Sequence, residues 1–208
     1  MKTRMRAAVV AALATSALAL GVAPAAQANV LSLLSGCGGE VDSHPFAQWG
    51  DNSNYVPAPG GNFESGPSWL LTGGAQVADG NESFQVGGAS DAHSLSLPAG
   101  SSATSPAQCT GIDHPTLRLF ARNTGASSSR LNVDAYYPGL LGGTQRARIG
   151  SIAGSGDWQP TGASQLTLTN LLATLSLSRT VVAFRFSPAD SAGNWSIDDV
   201  YVDPYARR

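Results

Sequence analysis

Beyond residue 28, short apolar/polar runs with a period of two recur along the chain. Ser94-Leu95-Ser96-Leu97 alternates and stops at Pro98-Ala99-Gly100, and Leu117 and Leu119 alternate with Thr116 and Arg118. Leu131, Val133, Ala135 and Tyr137 fall on one face of a run whose other face is Arg130, Asn132, Asp134 and Tyr136. Leu166 and Leu168 alternate with Thr167 and Thr169; Val182, Phe184 and Phe186 oppose Val181, Ala183 and Arg185; a last run spans Trp195 to Val202. Side chains two apart share a strand face, so such runs between Gly, Pro, Ser and Asn predict half-buried strands of an all-β sandwich or barrel. Asn170–Leu175 is ambiguous: Leu171, Leu172 and Leu175 suit one helical face, and a strand also fits. The spacing predicts polar loops over Ser101–Pro106 and Gly125–Ser129.

The first 28 residues are of another kind. Lys2, Arg4 and Arg6 precede an apolar run from Ala7 to Ala19, and Ala26-Gln27-Ala28 is a small-x-small cleavage signal. This is the pattern of a secretory signal peptide; the run is shorter than the ~20 apolar residues that span a bilayer. Secretion to the extracellular space is therefore expected, with cleavage after Ala28 and no membrane span in the remainder. That remainder carries nine arginines against fourteen Asp plus Glu, a net of −5, and contains no lysine. Phosphate loops that need Lys, Schiff-base chemistry and a nucleic-acid partner are thereby excluded. At 180 residues one domain is the default, and a monomer is expected.

Cys37 and Cys109 are the only cysteines. In an oxidising compartment the simple expectation is one disulfide, closing a loop of about 72 residues and contributing about 4 kcal/mol in the chain-entropy model. The domain reading is a signal peptide at 1–28, an N-terminal arm at 29–45 tethered by Cys37, and a β-sandwich domain at 46–208. Charged residues make up 12% of the chain, about half the usual share.

Several motifs carry a family resemblance. Asn62-Phe63-Glu64-Ser65-Gly66 followed by Trp69, then Thr72-Gly73-Gly74-Ala75 with Val77, resembles the opening of jelly-roll carbohydrate-binding modules with the galactose-binding-like fold. Ser83-Phe84-Gln85-Val86 resembles the second strand of that family, and Trp158 stands where a Trp is common before the late strands. Trp195-Ser196-Ile197-Asp198-Asp199-Val200-Tyr201-Val202 resembles its closing Ile-Asp-Asp-Val strand. The likeness runs from about Asn62 to Asp203, and the arm with Cys37 lies outside it. The resemblance implies an all-β jelly-roll β-sandwich. It also implies that the first and last strands lie together and hold a structural calcium ion, with Glu64, Asp198 and Asp199 as candidate ligands and loop carbonyls near Glu82 completing the shell. Strict strand alternation puts Asp198 and Asp199 on opposite faces, so only one of them is expected to reach the ion. The alternative is that these acids accept backbone N–H groups or pair with arginine. Trp69 and Trp195, inside the motifs, are expected to pack in the core or at its rim.

Asn132, Asp134 and Tyr136 on one strand face, with Arg146 and Arg148 on one face of a later run, would supply a ring for the C–H face of a sugar and polar groups for its hydroxyls. An ordinary solvated sheet face, with Asp134 paired to an arginine across strands, is the alternative. Trp158 joins the ligand-binding set as a stacking platform, with Trp49 and Tyr55 as further candidates. Enzyme patterns do not assemble. Gly88-Ala89-Ser90-Asp91-Ala92 lacks the second Gly of a nucleophile elbow; His93 sits too close along the chain to form a triad with Ser90 and Asp91. Nothing pairs Glu40, Glu64 and Glu82 across a cleft. The expectation is a secreted, non-catalytic carbohydrate-binding protein that takes an extracellular glycan; the alternative is an interaction or structural protein on the same scaffold.

Overall fold

Five of the alternating runs are strands in the computed structural model, which describes residues 41–66, 68–110, 116–139, 141–162, 164–165 and 180–203. They are β4 (His93–Pro98), β7 (Thr116–Asn123), β8 (Arg130–Pro138), β12 (Thr180–Pro188) and β13 (Asn194–Asp203). The remaining strands are short except β9: β1 (Val56–Pro57), β2 (Leu70–Thr72), β3 (Gln76–Asp79), β5 (Ser102–Thr104), β6 (Gln108–Thr110), β9 (Thr144–Ala153), β10 (Gln159–Pro160) and β11 (Ser164–Gln165). The signal peptide, Cys37, the Leu166–Thr169 run and the Asn170–Leu175 segment lie outside the described residues. Among the described residues no helix is long and apolar enough to cross a membrane.

The strands form two antiparallel sheets. The first has the order β10-β7-β13-β4-β3, with β1 on β13 and β11 on β7; the second has the order β2-β5-β12-β8-β9, with β6 on β12. The chain changes sheet between β4 and β5, β7 and β8, and β12 and β13, as a jelly-roll sandwich requires. The inward residues are those the alternation indicates: Leu95 and Leu97, Leu117 and Leu119, Leu131, Val133 and Ala135, and Val182, Phe184 and Phe186 are all fully buried in one cluster between the sheets. Trp69 and Trp195 join that cluster. The Trp69 indole N–H donates to the Pro59 carbonyl at 3.1 Å, and its ring stacks on Phe186.

Two expected elements differ. Within the Ser101–Pro106 stretch, expected to be a polar loop, Ser102–Thr104 is a strand bridging β2 and β12. Ala103 is buried opposite Leu71 and Phe186, and the Ser102 and Thr72 hydroxyls bond at 2.7 Å. Conversely, Ser83–Val86 is not a strand: Ser83 and Phe84 form a turn and Gln85 and Val86 are irregular. The Glu82 carboxylate accepts the N–H groups of Phe84 and Val86, and Gln85 takes a left-handed conformation at φ 53°. Backbone donors taken up by a local side chain cannot also join a ladder.

The end of the N-terminal arm that is described rests on the body. Ser43 and Tyr55 exchange backbone bonds at 2.9 and 2.8 Å. Phe46 is fully buried against Tyr55, Phe120 and Tyr201 on the outer side of the first sheet.

Candidate functional site

Two places gather the residues singled out above. One lies at the closing strand, where an irregularity sets the geometry. The register of β13 on β7 slips between Asp198 and Tyr201, and Asp199 adopts φ 46°. Aspartate tolerates that conformation better than most residues. The slip inserts one extra residue, so Ile197 and Val200 both point into the core. Asp198 and Asp199 therefore do not project to opposite faces, as strict alternation predicts. Both meet the loop at residues 82–87: Glu82 N–H donates to Asp198 Oδ2 at 3.0 Å, and Gly87 N–H donates to Asp199 Oδ2 at 3.0 Å. The other Asp198 oxygen accepts its neighbour's N–H at 2.9 Å.

Glu64 belongs to the same corner. Its carboxylate accepts the N–H groups of Ala92 and His93 at 2.6 and 2.5 Å, and the His93 ring nitrogen lies 2.7 Å from its second oxygen. Burial pushes Glu64 upward, but these bonds outweigh it and hold the acid below the usual range. Asp198 and Asp199 behave oppositely. Burial first, then the charge of Asp199 on one and of Glu82 on the other, drives both well above the usual carboxylate range. Glu82 is buried too, and Asp91 is pushed up by burial and by Glu64.

The fit of this corner to a hard cation can be judged from its oxygens. Asp91 Oδ2 is buried without a hydrogen-bond partner. It and Asp199 Oδ1 would each lie 2.6 Å from a Cβ built on Gly87, so only glycine leaves room where they converge. Hard oxygens and surplus negative charge suit calcium. As folded, however, most of the other carboxylate oxygens are committed to N–H groups, and among the described residues no three acidic, His or Cys side chains stand as a ready ligand set. Glu64, Asp198 and Asp199 thus accept backbone N–H groups, as the alternative reading has it, and the unpartnered oxygen at this corner is that of Asp91. An open cavity of about 790 Å³ reaches Asp199 and Tyr201 from the side of Ser43 and His44.

The other place is the outward face of the second sheet. Register puts Arg148 opposite Asp134 and Arg146 opposite Tyr136 across β8 and β9, and Arg185 opposite Asp134 on β12. Asp134 is buried beneath these side chains. Arg146 Nη2 donates to Asp134 Oδ2 at 2.7 Å and Arg148 Nε to Oδ1 at 2.6 Å, with Arg185 Nη1 at 4.0 Å. Burial alone would raise Asp134; the bonds from Arg148 and Arg146 win, and its carboxyl lies below the usual range. The cross-strand ion pair is therefore present, and it holds two guanidiniums beside the half-buried Tyr136, with Asn132 one step along the same face.

Trp158 does not join them, which corrects the expected set. It lies just before β10, on the outer side of the other sheet, 6% exposed in a cluster with Phe46, Tyr55, Phe120 and Tyr201. The Arg122 guanidinium covers its ring at 4.9 Å. Tyr55 is buried in the same cluster, and Trp49 is half buried against Phe84 and Phe120. The loop at Glu82 is expected at this corner from the resemblance, through its carbonyls; the carboxylates of Glu82 and Asp91 are not. A loop rich in acid and glycine, Glu82 to Asp91, was their only mark in the sequence. Cys109 is half buried on β6, while its expected partner Cys37 lies outside the described residues.

No family model matches the chain, and no curated protein matches it. Its neighbours among solved structures are carbohydrate-binding modules. A xylan-binding domain from CBM 22 is 16% identical, with 76% of this chain and 99% of that one covered, at a TM-score of 0.48. The CBM22-1–GH10 modules of Clostridium thermocellum xylanase 10B, complexed with xylohexaose, are 11% identical over 72% of this chain, at a TM-score of 0.48; the match spans only 28% of that longer chain. The CBM22-1 xylan-binding domain of Paenibacillus barcinonensis Xyn10C is 12% identical, with 71% and 93% covered, at 0.46.

Proposed function

We propose that this chain is a secreted glycan-binding protein that binds without turnover, using the outward face of its second sheet. The observation that supports this is the arrangement on β8 and β9. Asp134 locks Arg146 and Arg148 in place, so their remaining donors are presented with little entropy left to lose. The half-buried Tyr136 offers a ring beside them, and Asn132 an amide. Rings stack on the C–H faces of sugars, and forked donors bridge adjacent hydroxyls. Each contact is weak, so the dissociation constant is expected in the micromolar to millimolar range, roughly −4 to −8 kcal/mol. Affinity electrophoresis through polysaccharide gels tests the reading: Tyr136→Ala should restore free migration while the fold is kept. Failure of every polysaccharide to retard the protein would sink it.

One observation favours the second reading, an interaction or structural protein. Of the expected stacking rings, Tyr55 and Trp158 are buried in the outer cluster of the other sheet. A protein surface would be expected to replace the glycan in that case.

We further propose that calcium holds the closing corner, through Asp199 and Asp91, with Asp198, Glu64 and the loop at Glu82 around them. The converging oxygens at Gly87 and the excess of buried acid support this. A disulfide between Cys37 and Cys109 and cleavage after Ala28 complete the proposal.

A further inference from the structure

Charge in this protein is sorted by sheet. Among the described residues, the strands of the first sheet contain Asp79, Asp198, Asp199 and Asp203, with Arg118 and Arg122 as their arginines. Among the described residues, those of the second contain Arg130, Arg146, Arg148 and Arg185 and a single carboxylate, Asp134. Parity places all five of these on the outward face, since Leu131, Val133, Phe184 and Phe186 point inward. One carboxylate cannot neutralise four guanidiniums. Asp134 takes one hydrogen bond from each of Arg146 and Arg148, whose side chains are still 46% exposed. Each guanidinium has five N–H donors.

We propose that the ligand of this face is an acidic polysaccharide, one whose sugars bear carboxylates. The inference rests on the glycan reading above and narrows it. A neutral sugar would strip water from these guanidiniums and return only hydroxyl contacts, whereas a uronate restores a charge-assisted, two-pronged bond. The contact made by Asp134 shows that Arg146 and Arg148, two apart on β9, hold guanidiniums at a spacing that receives one carboxylate between them. Tyr136, opposite Arg146, is placed for the ring of the same sugar. The whole chain is acidic, so attraction comes from this face locally and not from the net field.

Calorimetry on the full secreted chain tests the proposal with polygalacturonate fragments, the same fragments methyl-esterified, neutral xylan, and dextran sulfate. The free acid should bind about tenfold more tightly than its ester, and that advantage should shrink severalfold between about 50 and 300 mM salt. Arg185→Gln, which removes a charge not hydrogen-bonded to Asp134, should weaken binding of the free acid about fivefold with an unchanged melting midpoint. Should that variant not fold, Arg148→Lys keeps the charge beside Asp134, loses the fork, and should weaken binding likewise. Equal affinity for acid and ester overturns the acidic ligand and leaves the glycan reading standing. Binding of dextran sulfate as tight as that of polygalacturonate overturns it too, since a bare ion-exchange surface explains it. No binding to any polysaccharide removes the glycan reading and this inference together.

Discussion

Asp51 is where the outer aromatic cluster meets its charge. Its carboxylate accepts the Tyr55 hydroxyl at 2.7 Å, the Ser53 N–H at 3.1 Å and a guanidinium N–H of Arg118, which itself lies 4.0 Å over the Phe46 ring. Burial would raise this acid; the three donors instead lower it to about 2. A depressed carboxylate stabilises the fold above its unfolded pKa, and that contribution is lost as pH falls through the folded value. The unfolding midpoint in urea should therefore drop between about pH 4 and 2 more steeply in the native protein than in Asp51→Asn. At neutral pH the variant should lose about 1–2 kcal/mol. Equal acid slopes in the two proteins would contradict this. Nothing near Asp51 in sequence announces Arg118, which arrives from β7. The Asp134 pair was different: alternation alone put Asp134 outward, and pairing to an arginine across strands was a foreseeable outcome. Trp158 fared worst, because burial of an outward ring depends on Phe46, Phe120 and Tyr201 from three distant segments.

β4, β7, β8 and β12 were legible because each buries one face against a single core, which imposes alternation; β9 is mostly exposed and shows little of it. Short elements were not. β5 has three small residues whose strand identity comes from Leu71 and Phe186 on either side. Ser83–Val86 has the composition of a strand, yet Glu82 captures its donors. The slip in β13 is the element with most consequence, since it turns two consecutive acids toward one loop. A period-two reading has no means of placing an extra residue. Packing between elements also sets limits on substitution. The link from β9 to β10 passes over Trp195, and a Cβ on Gly154 would come within 2.6 Å of that ring. Gly154→Ala should force Trp195 off its Ser129 contact and cost about 1–3 kcal/mol, read as a lower melting midpoint. Gly156→Ala, two residues on in open space, is the control and should melt within a degree or two of the native protein.

Across the molecule, the closing strand ties the ends of the domain together. β1 pairs with it, and the loop at residues 58–61 bonds Val200 where the register slips. A cation at Gly87 would therefore clamp residues near both ends of the sandwich. Millimolar calcium should raise the melting midpoint by several degrees, chelator should reverse it, and Asp199→Asn should abolish the response. An unchanged midpoint, with no metal found by mass analysis, would refute the clamp. The gathering of Arg130, Arg146, Arg148 and Arg185 on one sheet is likewise a property of the whole. Along the chain Arg185 stands far from the other three; only strand order brings β12 beside β8. The amino-acid order by itself determined the all-β class, most of the long strands and the inward residues of their runs, because burial of one strand face is a local periodic demand. Tertiary structure alone decided where polar groups meet: which oxygens converge at Gly87, which arginines surround Asp134, and that Trp158 is covered. Those meetings join residues from 12 to more than a hundred positions apart, and their geometry follows from register and bulges that no local pattern encodes.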